Sequence, residues 1–144
     1  MPSVPPPSDP LTSTPFRGLV VLVVGDDLAV LASTRQLLER LGALVRTAHN
    51  AEAALRAAGV HRPHLILIDL DMPNLGGFAL ARHLRQDAQL GRTRLVALTS
   101  LPDRRATMKG WSVEFDGKMH KPVTEQALVA LARHIPGGRT SPAG

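Results

Sequence analysis

The sequence predicts an open α/β fold: a doubly wound five-stranded parallel sheet with helices on both faces. Two observations predict it. Residues 19–24, 65–68 and 95–98 are short, nearly continuous apolar runs, Leu-Val-Val-Leu-Val-Val, Leu-Ile-Leu-Ile and Leu-Val-Ala-Leu. A strand with one wet face alternates apolar and polar residues. These runs do not, so both faces are buried, as in parallel strands covered by helices. Helical patterns lie between them, and the order strand-helix recurs five times with connections of ordinary length.

The elements follow in order. After the first run, Val30, Leu31, Thr34, Leu37, Leu38 and Leu41 fall on one helical stripe, with Arg35, Glu39 and Arg40 opposite. Asp27 is its candidate N-cap and Gly42 its candidate C-terminal stop. Leu44 to Ala48 is a weaker strand. A short helix over 52–58 is expected to end at Gly59. The second apolar run follows, then a helix over 78–86 carrying Phe78, Leu80, Ala81 and Leu84. Past the third run, 102–111 is the poorest helix, with Gly110 and few core candidates. A last strand, Gly117 to His120, leads to a helix over 124–135, capped by Thr124, with Ala127, Leu128, Leu131 and Ile135 inward.

The chain has 144 residues, the length of one domain. Residues 1–16 hold six prolines among serines and threonines, and 136–144 are rich in Pro, Gly and Ser. Neither stretch buries enough apolar area to offset its ordering entropy, so both are expected to be disordered around a folded domain at 17–135. No cysteine is present, which excludes disulfides, thiolate-zinc sites and thiol catalysis. No apolar run approaches the ~20 residues that span a bilayer, and the N-terminus lacks a secretory h-region. A cytoplasmic address with no membrane partner is the default expectation. The formal charge is +5. With 3% aromatic residues there is no stacking platform for bases, so specific nucleic-acid binding is not expected. The six histidines show no metal-ligand spacing and read as structural.

In sheets of this kind, ligands bind outside the carboxyl ends of the strands. The first strand ends in Gly25-Asp26-Asp27, the third in Asp69-Leu70-Asp71, the fourth in Thr99-Ser100 and the fifth in Lys121-Pro122. Carboxylates, hydroxyls and one ammonium therefore converge on one edge. Clustered carboxylates repel unless something positive compensates. A hard divalent cation such as Mg²⁺ does so with oxygen ligands and several waters. The set suits a phosphoryl group carried on a carboxylate, with metal and Lys121 neutralising its oxygens and Thr99 donating to one of them. Asp69, following the most apolar strand, is the best nucleophile candidate.

On these residues the sequence resembles the receiver domain of two-component response regulators, over about 18–135. The carrying pieces are Val-Leu-Val-Val-Gly25-Asp26-Asp27, Leu-Ile-Leu-Ile-Asp69-Leu-Asp71-Met72-Pro73-Asn74, Ala-Leu-Thr99-Ser100 and Lys121-Pro122. The resemblance implies a flavodoxin-like (βα)5 fold of the CheY type and bacterial origin. It implies Asp69 as phosphoacceptor from a kinase phosphohistidine. It implies Asp26 as a direct Mg²⁺ ligand beside Asp69, with the Asp71 carbonyl as the third protein ligand. Thr99 and Lys121 would contact the phosphoryl group, and Pro122 would follow a peptide bond that is often cis in the family. The signalling face would be the fourth helix, fifth strand and fifth helix. The partner would be a histidine kinase or a histidine phosphotransfer protein, and a homodimer stays open. Such a domain catalyses only its own phosphorylation and dephosphorylation.

Three features depart from the family pattern. Gly25 stands where receivers usually have a second acid, so weaker Mg²⁺ binding is expected. Asp27 either swings in to compensate or serves only as a helix cap. The Asp71 side chain either reaches the metal's hydration shell or is a solvated loop carboxylate. Lys118 replaces the usual aromatic ring three residues before the lysine, which puts that switch in doubt; it is a surface lysine, an electrostatic element of the partner face, or a group that reaches toward the phosphoryl oxygens. Glu114 and Phe115 replace a small pair, and Trp111 is either a partly buried core residue or a partner anchor. Two other readings follow. One is a pseudo-receiver that works without phosphorylation. The other is a haloacid dehalogenase-type phosphatase, suggested by Asp69-Leu70-Asp71, although that motif normally ends the first strand of its fold.

Overall fold

A computed structural model describes residues 14–71, 76–100 and 115–135. The strands β1 (Val20–Val24), β2 (Leu44–Ala48), β3 (Leu65–Asp69), β4 (Arg94–Thr99) and β5 (Gly117–His120) form one sheet in the order β2-β1-β3-β4-β5. Every pairing is parallel. The described helices are α1 (Leu28–Arg40), α2 (Ala51–His61), α3 (Gly77–Arg85) and α4 (Glu125–Ala132). The expected helix over 102–111, with Trp111 and Glu114, lies outside the described residues.

Strand side chains alternate between faces, and this divides the core in two. Val21, Val23, Leu65, Leu67, Val96 and Leu98 point to the face covered by α1 and α4, where they meet Leu31, Leu38 and Leu128. Leu22, Val24, Ile66, Ile68, Leu95 and Ala97 point to the other face, where α2 and α3 supply Ala54, Ala58, Leu80 and Leu84. The doubly wound class is therefore as the apolar runs predict. All five residues of β3, the central strand, are buried.

Capping fixes where the helices begin. Asp27 Oδ1 accepts from the amides of Ala29 (3.0 Å) and Val30 (3.3 Å), and Thr124 Oγ1 accepts from Ala127 (3.1 Å). At the end of α1 the chain turns through Gly42 at φ +102°, a conformation that suits glycine.

Three boundaries differ from expectation, the first being the last helix, which ends at Ala132 rather than at 135. The second helix does not stop at Gly59. It begins at Ala51, capped by Asn50, and runs to His61, and Arg62 closes it in the left-handed region at φ 46°. A glycine costs a helix interior ~1 kcal/mol, and burial of Ala54 and Ala58 against the sheet outweighs that. The packed part also reaches back beyond residue 17: Phe16, expected in the leader, is fully buried, and its amide donates to Leu41 O at 2.9 Å.

Candidate functional site

In this strand order the chain crosses from one side of β1 to the other after β2, so the crevice between the carboxyl ends of β1 and β3 is the switch point. The register sets Val24 beside Ile68 and Asp69 beside Leu98. Gly25 and Asp26 on one side, and Thr99 on the other, therefore flank Asp69. On the far side of β4, Thr99 pairs with His120, and the Lys121 amide donates to Thr99 O at 3.0 Å. The sequence-predicted residues from four separate strands thus share one edge.

Asp69 is 3% exposed. A carboxylate buried to that degree without a partner costs several kcal/mol. Lys121 compensates it: Nζ donates to Asp69 Oδ1 at 3.0 Å and to Oδ2 at 2.9 Å. Oδ1 also accepts the Asp71 amide at 2.8 Å, which locks the carboxylate's orientation. The Lys121–Pro122 peptide bond is cis. Thr99 is 2% exposed and its hydroxyl reaches Asp71 Oδ1 at 3.5 Å.

The Asp71 side chain is not a solvated loop carboxylate. It lies 2.9 Å from Lys121 Nζ and accepts from both the amide (2.9 Å) and the hydroxyl (2.8 Å) of Ser100. Burial opposes its ionisation, but hydrogen bonds from Lys121 and Ser100 more than offset this and hold its carboxyl below the ordinary value. Burial likewise opposes the charge on Lys121, and the Asp69 and Asp71 carboxylates outweigh it and raise the ammonium above its ordinary value. Ser100 is the contributor to which sequence reasoning, placing it at the end of the fourth strand, gave no role of its own. Its only signal was a second hydroxyl directly after Thr99.

The other candidates fall at the margin. Asp26 and Asp27 are exposed at the end of β1. Asp27 is engaged as the α1 cap rather than turned toward Asp69. Lys118 lies half-buried on β5 opposite Ala97. Met119 enters the cluster with Leu98 and Leu128, so Lys118 projects from the other face of the strand. His64 is structural: its Nδ1 accepts the Val20 amide at 3.0 Å at the far edge of the sheet. Phe115 is buried and packs edge-to-face on Phe78 at 5.5 Å.

A divalent cation is tested by the donor set. Among the described residues no group of three or more His, Cys, Asp or Glu side chains gathers around one point. Mg²⁺ does not require one, because it is commonly held by one or two carboxylates and retains several waters. Asp69 Oδ2 accepts from Lys121, and no second donor to it is found among the described residues. A Cβ at Gly25 would lie 3.7 Å from that oxygen, at ordinary contact distance, so Gly25 backs directly onto Asp69. Asp26, exposed at the end of β1, and Asp69 offer only oxygen donors, which suit Mg²⁺, with one acid fewer than the family's usual set.

Comparison with known proteins agrees with this geometry. Residues 21–133 match the response regulator receiver domain family. The transcriptional regulatory protein PrrA of Mycobacterium tuberculosis is 36% identical over 116 residues, which cover 80% of this chain and 48% of PrrA. Protein PilG of Pseudomonas aeruginosa is 28% identical over 120 residues, covering 83% of this chain and 89% of PilG. The chain spans about half the length of most of the curated relatives it matches. A CheY-like response regulator receiver domain from Methylobacillus flagellatus superposes with a TM-score of 0.74 at 25% identity, over 81% of this chain and 97% of that one. Among the described residues no helix is long and apolar enough to cross a membrane. By sequence and by fold, this chain belongs to the receiver domain family of two-component response regulators, whose general role is that of phosphoacceptor.

Proposed function

We propose that Asp69 of this domain accepts a phosphoryl group from a phosphohistidine on a histidine kinase or a histidine phosphotransfer protein, in a cytoplasmic two-component or phosphorelay system. The observation that carries the reading is the buried Asp69 carboxylate, gripped through both oxygens by Lys121 at the end of the central strand. A carboxylate oxygen attacks phosphorus and the P–N bond breaks. The imidazole nitrogen keeps the bonding pair and takes a proton from water, and an acyl phosphate remains on Asp69. Lys121 already lies against the Asp69 carboxylate, so a compensating charge is at hand where the new negative charge develops. Thr99 supplies a hydroxyl to a phosphoryl oxygen.

Asp26, Asp69 and the Asp71 carbonyl would hold Mg²⁺. Bound there, the cation neutralises phosphoryl oxygens during transfer. The chain's own part is to bury and orient Asp69 and to hold a compensating ammonium, which supports self-phosphorylation and self-dephosphorylation rather than turnover of a separate substrate. The signal would pass through the face that includes β5 and α4; the family's fourth helix falls in 102–111, outside the described residues. A cavity of about 710 Å³ on that face, bordered by Lys118, His120, Ala127 and Leu131, supports this choice.

A phosphorylation-independent receiver is the second reading, and Gly25 favours it because one metal-site acid is missing. Incubation with a small phosphodonor and Mg²⁺, followed by intact-mass measurement, separates the two. One added phosphoryl group, absent in Asp69→Ala, supports the phosphoacceptor. No adduct at any Mg²⁺ concentration supports the alternative.

A further inference from the structure

The Asp71 carboxylate joins the ends of three neighbouring strands. Its own chain leaves β3. Its Oδ2 accepts from the Ser100 amide at 2.9 Å and the Ser100 hydroxyl at 2.8 Å, directly after β4. The same oxygen lies 2.9 Å from Nζ of Lys121, directly after β5. Its Oδ1 takes the longer contact from Thr99 at 3.5 Å. Asp71 is aimed there by Asp69, whose Oδ1 accepts the Asp71 amide at 2.8 Å. Both carboxylates share the Lys121 ammonium.

A phosphoryl group on Asp69 disturbs each of these supports. It carries on the order of −1.5 to −2 near neutral pH in place of the carboxylate's single charge, so the negative charge beside Asp71 grows by up to about one unit. It competes for Lys121, which then no longer screens one acid from the other. It also draws on the lone pairs of the carboxylate that orients the Asp71 amide.

We propose that Asp71 is a latch that holds Ser100 while Asp69 is unmodified and releases it when Asp69 carries a phosphoryl group. The opening step rests on the phosphoacceptor reading above; the holding step does not. Asp71 acts here through Ser100 and Lys121, as a positioning residue. The release frees the first residue after β4, and so converts a charge change at Asp69 into a backbone change at the start of the connection to β5.

Amide hydrogen exchange at Ser100, followed by NMR on the full chain, tests both steps. In the unmodified protein the Ser100 amide should exchange about tenfold or more slowly than in Asp71→Ala, the range expected for losing a charge-assisted hydrogen bond. Amides of Leu67 and Val96 serve as the folding control and should not change. After phosphodonor treatment, Ser100 protection should fall in the wild type. In Asp71→Asn the side-chain oxygen still accepts from Ser100 but carries no charge, so protection should persist after phosphorylation. Equal Ser100 exchange in wild type and folded Asp71→Ala overturns the latch, as does undiminished protection in phosphorylated wild type. Should Asp71→Ala not fold, the contrast between wild type and Asp71→Asn decides. Failure to form any adduct sinks the phosphoacceptor reading and with it the opening step, while the comparison of unmodified proteins still decides whether Asp71 holds Ser100.

Discussion

Replacing Gly25 by Asp tests the site's electrostatics directly. A Cβ at this position would meet Asp69 Cβ at 3.5 Å, Asp69 Oδ2 at 3.7 Å and Leu31 Cδ2 at 3.4 Å, so a side chain is accommodated with little displacement. Its carboxylate would then stand about 5 Å from that of Asp69. Two unit charges at that distance repel by roughly 3 kcal/mol at an effective dielectric constant of ~20. Lys121 and solvent reduce this, so Gly25→Asp should lose about 1–3 kcal/mol in the presence of a chelator. Magnesium should restore it, because a ligand at a hundredfold its Kd contributes ~2.7 kcal/mol. Gly25→Ala, which adds a methyl group but no charge, should stay within ~1 kcal/mol of wild type in both conditions. Urea denaturation with chelator and with saturating Mg²⁺ measures all three. If Gly25→Asp is as stable as wild type under chelation, the two carboxylates are not neighbours. If its magnesium response is no larger than that of wild type, compensation for the missing acid already exists; if neither protein responds, this edge does not bind the cation.

Other expectations follow from single contacts. His64→Ala removes the acceptor of the Val20 amide, and should cost about 1–2 kcal/mol in urea denaturation without altering phosphorylation. Phe115→Ala empties the space beside Phe78 and should cost ~3–5 kcal/mol; a change within error would mean that Phe115 is not packed there. Asp71 has its carboxyl lowered from the ordinary 3.8, so its contribution to stability is complete above that pH and lost as pH falls through the lower folded value. Lys121 is raised from the ordinary 10.5, so its contribution is complete below that pH and lost as pH rises through the higher folded value. Stability against pH should therefore show an acid limb that flattens in Asp71→Asn, and an unchanged acid limb would contradict the assignment.

How far the sequence could be read depended on the range of the interactions. Strands buried on both faces announce themselves as unbroken apolar runs, so β1, β3 and β4 and their carboxyl ends were legible, and Asp69 and Thr99 with them; Lys121, after the short and half-buried β5, was legible through its Lys-Pro pair. The caps Asp27 and Thr124 are local and were equally plain. What escaped needs tertiary contact. Gly59 looks like a helix stop until Ala54 and Ala58 are seen pressed on the sheet. Phe16 looks like leader until its burial is known. Asp71 looks like a loop acid because nothing in the local sequence ties it to Ser100 and Lys121, which lie far along the chain. Phe115 likewise gains its meaning only from Phe78.

The account stands on Asp69 being a phosphoacceptor made competent by its neighbours on the same edge. The most direct measurement exposes the chain to a phosphohistidine-bearing donor domain with Mg²⁺ and locates the transferred group by mass spectrometry. The account predicts one hydroxylamine-labile acyl phosphate per chain, on Asp69, absent in Asp69→Ala and strongly reduced in Lys121→Ala. Transfer to any other residue, or equal labelling of Asp69→Ala, would contradict it.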